Sequence, residues 1–206
     1  MKKDWEKYLN TISNYERNKL IIATKFGEHW NFTTNRPYID QSYDSLKESL
    51  AKNLKFLKKI DLLYLHKATN EALKSPDVKK AFEIARSKGI KNFGVSVSDI
   101  KTAEYVCDQN FYSFIQLPYN IINNKFDKII NLAKKKGKTI VINRPFNMGS
   151  LLYKNTDKYE IAVNAYKFIL RKKFNGFVLT GTKSITHLKK NYEAFIRAQH
   201  LLLNEK

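Results

Sequence analysis

Two hydrophobic segments of the sequence each end in a side chain that can carry or move a proton. Leu20–Lys25 is an apolar run that ends in a lysine, and Asp61–His66 is an apolar run that ends in a histidine. Such runs are typical of strands buried in a parallel sheet, and α/β proteins bind ligands at the C-terminal ends of these strands. A lone histidine at a strand end is more often a core residue with its hydrogen bonds satisfied, but the second strand of the same design favours a site containing Lys25 and His66.

The composition indicates an ordinary folded protein. The 206 residues suffice for one sizeable core, so a single domain over 1–206 is expected. The single cysteine, Cys107, excludes a disulfide within the chain and fits a reducing compartment. No segment has the length and apolarity of a membrane span, and the polar N-terminus lacks the pattern of a signal peptide. We therefore expect a cytoplasmic protein that binds no membrane.

The formal net charge of +19 raises the question of nucleic-acid binding. The basic clusters, however, stand at the predicted ends of helices, where cations complement the helix dipole. None of them carries the aromatic residues that would stack on bases. These clusters are Lys58–Lys59, Arg86–Lys88, Lys134–Lys136 and Arg171–Lys173. The charge pattern therefore argues against a nucleic-acid partner.

Strand-like and helix-like segments alternate along the whole chain. The predicted strands cover residues 20–25, 61–66, 92–97, 114–117, 139–143 and 177–180. Helices are predicted at 4–16, from Ser42 or Asp44 to Leu57, from Ser75 to Gly89, from Asp99 to Val106, at 123–136, near 159–173 and from Ser184 onward. Alternation of this kind predicts a parallel sheet, either an open doubly wound sheet or a barrel. The absence of a glycine fingerprint or P-loop disfavours the open nucleotide-binding sheet. A long polar loop through 27–37 is a predicted binding loop.

Several motifs, in this order, resemble those of the aldo-keto reductases over nearly the whole chain. Ile22–Gly27 resembles the strand that carries the catalytic lysine, and Asp61–His66 resembles the strand that carries the catalytic histidine. Gly89–Lys91 with Phe93–Ser96 is similar to the segment that contacts the nicotinamide carboxamide. Each motif alone has low specificity, and the ordered set is specific.

Three later motifs extend the resemblance to the cofactor site. Ile115–Asn120 resembles the next strand, with Gln116 at the carboxamide-binding position. Arg144–Phe146 followed by Gly149 resembles the turn after the seventh strand, beside the cofactor. Leu179–Asn191 resembles the loop and helix that hold the adenosine end.

The resemblance implies a (β/α)8 TIM-type barrel that reduces an aldehyde or ketone with NADPH or NADH. In this family a tyrosine donates a proton, a lysine paired with an aspartate lowers the pKa of that tyrosine, and a histidine orients the carbonyl group. Lys25 and His66 match two of these four residues. The aspartate and tyrosine precede the lysine in the family, and Tyr8 stands at the wrong spacing to replace that tyrosine. We therefore expect an N-terminally truncated, incomplete barrel of about six parallel strands, with impaired catalysis.

Missing strands have physical consequences. Two sheet edges would be open, which favours self-association, and Lys25 would lose its carboxylate partner.

The resemblance also assigns the cofactor-binding positions. They are Ser96, Gln116, Asn143, Arg144, Gly181, Thr182, His187 and Asn191. Val97 and Asn143 replace an asparagine and a tyrosine that are common in the family, and Gly181 and His187 replace a lysine and an arginine that bind a 2′-phosphate. The choice between NADP and NAD therefore stays open. Arg144 contacts either the cofactor phosphates or a carboxylate at the rim.

Two functions are compatible with these features of the sequence. One is an aldo-keto reductase-like oxidoreductase acting on a small carbonyl compound, without a metal. The other is a non-catalytic nucleotide-binding or scaffold protein derived from the same fold.

Overall fold

The computed structural model describes residues 14–153 and 157–205, which group into two compact units. The first unit runs to Val97 and includes Phe111–Ser113. The second comprises Ser98–Asn110 and the chain from Phe114 onward. Most of the helix predicted at 4–16 lies outside the described residues. The single domain over 1–206 stays a prediction.

The first unit contains a parallel sheet of three strands with helices. Its elements are α1 Asn14–Lys19, β1 Ala23–Phe26, β2 Glu28–Asn31, β3 Arg36–Ile39, α2 Tyr43–Leu57, β4 Leu62–Leu65, α3 Asn70–Lys74, α4 Pro76–Ser87 and β5 Asn92–Ser96. Strand β4 pairs in parallel with β1 on one side and β5 on the other. Helix α4 begins as predicted, because Ser75 caps the first turn and Pro76 supplies a backbone angle suited to it.

The segment after β1 is an antiparallel hairpin and not the long loop that the sequence predicted. Glu28 of β2 pairs with Ile39 of β3, and Asn31 pairs with Arg36. The turn is stabilised by the Asn31 side chain, which accepts hydrogen bonds from the backbone N–H groups of Thr33 and Thr34 at 2.9 and 3.0 Å. The strands have four residues each, too few for a clear alternation of polar and apolar positions.

The core of the first unit is aromatic. Phe82 of α4 meets Phe26, Phe93, Phe111 and Tyr112 edge to face, with ring centroids 5.0 to 5.5 Å apart. Phe26 lies on β1 and Phe93 on β5, and both contact Phe82 of helix α4. Their side chains therefore point to the side of the sheet that this helix covers. The neighbouring residues along each strand point to the opposite side.

The second unit repeats the parallel design. Its elements are α5 Ile100–Asp108, β6 Phe114–Pro118, α6 Asp127–Lys135, β7 Thr139–Asn143, a 3-10 turn at Asn147–Gly149, α7 Ser150–Tyr153, α8 Lys158–Leu170, β8 Gly176–Val178 and α9 Ile185–Leu203. Strand β7 pairs in parallel with β6 and β8. Gly176 stands opposite Ile140, where a Cβ atom would lie 1.8 Å from the Ile140 carbonyl oxygen, so this position requires glycine.

The expected fold class is confirmed: this is an α/β fold with six parallel strands and flanking helices. Strand β8 ends at Val178 and helix α6 begins at Asp127, so both are shorter than predicted. Within the described chain, the outer side of β1 has no strand partner, nor does that of β8. The Asn53 amide donates to the Lys25 carbonyl at 3.1 Å on that outer side of β1.

Candidate active site

Lys25 lies on the face of the first unit's sheet opposite the aromatic core. In the strand register, Lys25 stands beside Tyr64, and Tyr64 stands beside Gly94. Side chains at such opposed positions point to the same side of a sheet. The Lys25 Nζ atom lies 5.7 Å from the centroid of the Tyr64 ring, within the range of a cation–π contact. Among the described residues, none forms a salt bridge with Lys25.

Glu28, the first residue of β2, connects two basic side chains beside this lysine. Its Oε2 atom lies 3.0 Å from His66 Nδ1, and its Oε1 atom lies 2.7 Å from Lys67 Nζ. The His66 backbone N–H donates to the Phe26 carbonyl at 3.0 Å, which fixes the turn after β4 next to the end of β1. The side chains of Glu28 and His66 are 24% and 25% exposed, so this charge cluster is partly removed from water.

Burial lowers the pKa of Lys25 below its ordinary value of 10.5, and the Glu28 carboxylate opposes this shift without reversing it. Burial also lowers the pKa of His66 below 6.5; Glu28 opposes this change, and the cations of Lys25 and Lys67 reinforce it. His66 is therefore neutral around pH 7. An ionised carboxylate only accepts hydrogen bonds, so the His66 nitrogen that faces Glu28 carries the hydrogen. The other ring nitrogen, Nε2, then holds a free lone pair.

Tyr64 is the tyrosine that contacts Lys25 in the first unit. Its side chain is almost fully buried, and this burial raises the pKa of its phenol well above the ordinary value of 10.0. A higher pKa makes the phenol a weaker acid. Tyr64 is therefore a poor substitute for a tyrosine that donates a proton to a developing alkoxide.

Ser96 joins the same face at the end of β5. Leu65 and Val95 are opposed, so His66 and Ser96 follow them side by side. Ser96 is 7% exposed, and its carbonyl accepts a hydrogen bond from the Ala68 N–H at 3.1 Å. The first unit thus brings together three of the residues selected from the sequence, Lys25, His66 and Ser96.

In the second unit, Gln116 and Asn143 share one face of the sheet. Gln116 stands opposite Val141, and Asn143, at the end of β7, stands opposite Pro118. The Gln116 side chain is almost completely buried. The Asn143 Oδ1 atom is buried and accepts no hydrogen bond from any residue that the structure describes. This oxygen is an acceptor that a donor group of a ligand can satisfy.

Arg144 follows in a left-handed backbone conformation with φ of 56°. Asn120 stabilises it: this buried amide donates to the Arg144 carbonyl at 2.9 Å and accepts from the backbone N–H groups of Ile122 and Asn123 at 3.0 and 2.9 Å. The Arg144 side chain is exposed and forms no ion pair with a described residue. Of the two interpretations of Arg144, the rim salt bridge therefore has no carboxylate partner in the described chain.

The remaining four predicted residues gather at the start of α9. Ser184 caps this helix by accepting a hydrogen bond from the His187 N–H at 3.3 Å. The Thr182 hydroxyl accepts from the Ser184 N–H at 3.1 Å, and the Asn191 amide donates to the Thr180 hydroxyl at 2.7 Å. Gly181 and His187 are exposed.

A cavity of about 500 Å³ lies beside this loop, between α8, β8 and α9. Its size is that of a small-molecule site, and its lining mixes aromatic and polar side chains. The lining includes Tyr166, Phe177, Thr180, Leu188, Asn191 and Tyr192. Asn191 thus connects the helix-cap loop to the cavity wall.

Two residues of these sites were not identified from the sequence. Glu28 supplies a carboxylate near Lys25, whose loss of a carboxylate partner was predicted, although Glu28 forms its direct contacts with His66 and Lys67. Asn120 holds the backbone of Arg144. The signal for Glu28 was its position three residues after Lys25, but only the hairpin turns it toward His66.

No group of three potential metal ligands occurs among the described residues. The same part of the chain contains no helix with the length and apolarity needed to cross a membrane.

Comparison with known proteins gives a consistent result. Residues 5–162 match the model of the Aldo/keto reductase family. A Bacillus subtilis (strain 168) protein, the uncharacterized oxidoreductase YqkF, is 27% identical over 181 residues, which cover 86% of this chain. The chain spans 56% of the length of that relative.

Solved structures share the fold at lower identity. A candidate aldo-keto reductase from Pseudomonas aeruginosa superimposes with a TM-score of 0.78 at 18% identity, covering 94% of this chain and 73% of the other. The holo form of the aldo-keto reductase AKR11C1 from Bacillus halodurans gives a TM-score of 0.70 at 22% identity, covering 92% and 71%. For the glycerol dehydrogenase AKR11B4 from Gluconobacter oxydans the TM-score is 0.65 at 15% identity, covering 94% and 76%.

Proposed function

The chain belongs to the aldo/keto reductase family, and from this premise we propose that it binds NADP or NAD and acts on a small aldehyde or ketone, with impaired catalysis. The observation that carries the proposal is the placement of Lys25 and His66 at the ends of β1 and β4 on one face, with Ser96 beside them. The proposed location is the cytoplasm, which the single cysteine, Cys107, supports.

The second unit supplies groups that fit a nicotinamide dinucleotide. The unsatisfied Asn143 Oδ1 atom suits the amide donor of a carboxamide, and Gln116 lies on the same face. The exposed Arg144 guanidinium and the first turn of α9 suit phosphate groups, since guanidinium and helix N-termini both bind anions. A bound reduced cofactor would supply the hydride. The chain's own residues would hold and orient the cofactor and the carbonyl compound.

The protonation state of His66 limits the reduction of a carbonyl compound. Its Nε2 atom must carry a hydrogen to donate a hydrogen bond to a substrate carbonyl, but in the neutral ring the hydrogen is on Nδ1, facing Glu28. Protonation supplies a hydrogen on both nitrogens, and the lowered pKa of His66 confines this state to pH values below 6.5. Carbonyl reduction by this chain is therefore expected to be fastest in mild acid.

The second candidate function is nucleotide binding without turnover. It is favoured by the weak acidity of Tyr64, because no other tyrosine contacts Lys25 in the described part of the first unit. Self-association through the outer sides of β1 and β8 is compatible with either function.

The first test is a titration of NADPH and NADH into the full chain, followed by quenching of intrinsic fluorescence. We expect a micromolar Kd for at least one nucleotide. Arg144→Ala should weaken binding roughly tenfold, as loss of a charge-assisted hydrogen bond does. Arg171→Ala is the matched control. Arg171 lies just after α8 and pairs with Glu205, so its replacement should leave Kd unchanged.

Failure of the folded wild-type chain to bind either nucleotide would overturn the proposal. If a nucleotide binds, a carbonyl screen at pH 5.5 and pH 7.5 separates the two candidates. Turnover that is faster at pH 5.5 supports reduction, and no turnover at either pH supports nucleotide binding alone.

A further inference from the structure

We propose that Lys25 is a nucleophilic amine that forms an imine with small aldehydes, without any nicotinamide cofactor. The activity rests on the surroundings of Lys25 in the first unit alone, and it is independent of the nucleotide-binding groups of the second unit. A lysine becomes a nucleophile when its surroundings favour the neutral amine over the ammonium ion.

The contacts of Lys25 favour the neutral amine. Both carboxylate oxygens of the adjacent Glu28 are already engaged, one by His66 and the other by Lys67. The Nζ atom of Lys25 lies 5.7 Å from the centroid of the Tyr64 ring, near the outer limit of a cation–π contact, so the ring stabilises the ammonium form only weakly. A partly buried ammonium group loses contacts with water, and at Lys25 no paired carboxylate replaces them. This loss disfavours the charged form and lowers the pKa of Lys25.

Charged and titratable groups on the neighbouring elements also influence whether Lys25 is a neutral amine or an ammonium ion. Glu28 on β2 opposes deprotonation of Lys25, and burial outweighs it. Tyr64 on β4 stays uncharged because its pKa is raised. Lys67, in the turn after β4, remains paired with Glu28. The cluster therefore contains two lysines beside one carboxylate, of which Lys67 has the ion pair and Lys25 does not.

His66 completes the chemistry as a proton carrier. Its Nδ1 hydrogen is donated to Glu28, so its Nε2 lone pair is free to take a proton. The Lys25 nitrogen attacks the carbonyl carbon, a C–N bond forms, and the carbonyl π electrons move to oxygen, which takes a proton from water. His66 removes a proton from the nitrogen, giving a neutral carbinolamine, and returns it to the hydroxyl group. The nitrogen lone pair then forms the C=N bond as the C–O bond breaks, and water leaves a protonated imine. The hydroxide left by the first proton transfer takes this proton, which gives the neutral imine and water.

The test is reductive trapping on the full chain. Protein is incubated with butyraldehyde and sodium cyanoborohydride at pH 7, and the labelling rate of each lysine is followed by peptide mass spectrometry. We expect Lys25 to be labelled at least tenfold faster than two internal references. Lys67 is a lysine beside the same carboxylate but paired with it, and Lys91 is an exposed lysine without a salt bridge to any described residue.

A pH profile and a variant separate nucleophilic chemistry from simple exposure. The Lys25 labelling rate should reach its plateau at a lower pH than the Lys91 rate. His66→Asn should slow Lys25 labelling at pH 7 several-fold and leave Lys91 labelling unchanged. Labelling of wild-type Lys25 no faster than Lys67 or Lys91 overturns the proposal, even if a nucleotide binds. Rapid labelling of Lys25 in a protein that binds neither NADPH nor NADH would support imine formation and exclude nucleotide-dependent carbonyl reduction.

Discussion

The two units each present polar side chains at the ends of parallel strands, but they hold them differently. In the first unit the groups are charged and influence each other: Glu28 contacts His66 and Lys67, and Lys25 lies close enough to lower the pKa of His66. In the second unit the central group is the neutral amide of Asn120, which forms three hydrogen bonds to backbone groups and holds Arg144 in place.

Because of this difference, the two sites should respond differently to pH. Interactions among partly buried charges change with every proton gained or lost, so the first site depends on pH. Hydrogen bonds of an amide to backbone groups involve no titratable group, so the second site should keep its geometry across a wide pH range. A site for proton chemistry and a site for holding a ligand would differ in this way.

Removal of the Asn120 amide should give the largest loss of stability. Asn120→Ala leaves the backbone N–H groups of Ile122 and Asn123 without their side-chain acceptor, and the Arg144 carbonyl loses one of its two donors and keeps the other, the Asn147 N–H. At roughly 1 kcal/mol for each bond, we expect a loss of about 2–4 kcal/mol in the free energy of unfolding. Urea denaturation at pH 5, 7 and 9 measures it.

The loss should be the same at each pH, because the network contains no titratable side chain. Asn131→Ala, on the exposed surface of α6, is the matched control and should change stability by less than about 0.5 kcal/mol. A loss that varied strongly with pH would contradict the contrast between the two sites.

Neutralising Glu28 should have a smaller effect on stability and a distinct effect on titration. Glu28→Gln keeps the shape of the side chain but removes the anion that faces His66 and Lys67. We expect a loss of about 1–2 kcal/mol at pH 7, below the value for a fully buried pair because these side chains are partly solvated. Glu48→Gln, which removes the anion of an exposed pair with Lys52, should leave the free energy of unfolding almost unchanged.

The same variant changes the pKa of His66 in a predictable direction. Glu28 raises this pKa, whereas burial, Lys25 and Lys67 lower it. Without the anion the pKa of His66 should therefore fall further below 6.5, as followed by NMR of the ring protons. A pKa that stayed constant or rose would show that Glu28 does not govern the protonation of His66.

Elements with strong local signals were predicted well from the sequence. The Ser75–Pro76 start of α4, the Asp99 cap of α5 and the strand 139–143 all coincide with the structure. The hairpin at 28–39 was not predicted, because two strands of four residues show no periodicity that separates them from a polar loop. Local signals determine where an element begins, but they do not reveal short pairings between segments.

The same distinction applies to the site. Lys25 and His66 were identified because each stands at the end of a predicted strand, and Ser96 because its segment resembles the carboxamide-binding segment of the family. The strand register together with alternation places all three on one face. Glu28 was not identified, because its contact with His66 depends on the hairpin, which no spacing in the sequence shows. Asn120 was likewise missed, since its role depends on the backbone of Arg144, 24 residues later in the chain.

Replacing Lys25 by methionine should give the smallest effect, and one of opposite sign. Below the folded-state pKa of Lys25, the folded protein bears the cost of burying an ammonium ion that is solvated in the unfolded chain. Lys25→Met removes this cost and should raise Tm by a few degrees at pH 7, since about 1 kcal/mol corresponds to roughly 2–4 °C in a protein of this size. Lys91→Met, at an exposed position, should not raise Tm.

The pH dependence of this gain identifies its cause. Between the lowered folded-state pKa and the ordinary value of 10.5, the unfolded wild-type chain holds a proton at Lys25 that the folded protein has released. Wild-type stability therefore rises with pH across this window relative to the variant, which has no proton to release. The advantage of Lys25→Met should be constant below the window and shrink as the pH approaches 10.5. If the gain in stability of Lys25→Met stayed the same up to pH 10.5, methionine would stabilise the fold by packing alone. Burial would then not lower the pKa of Lys25, and the first unit would lack the coupling between burial and charge that distinguishes it from the second.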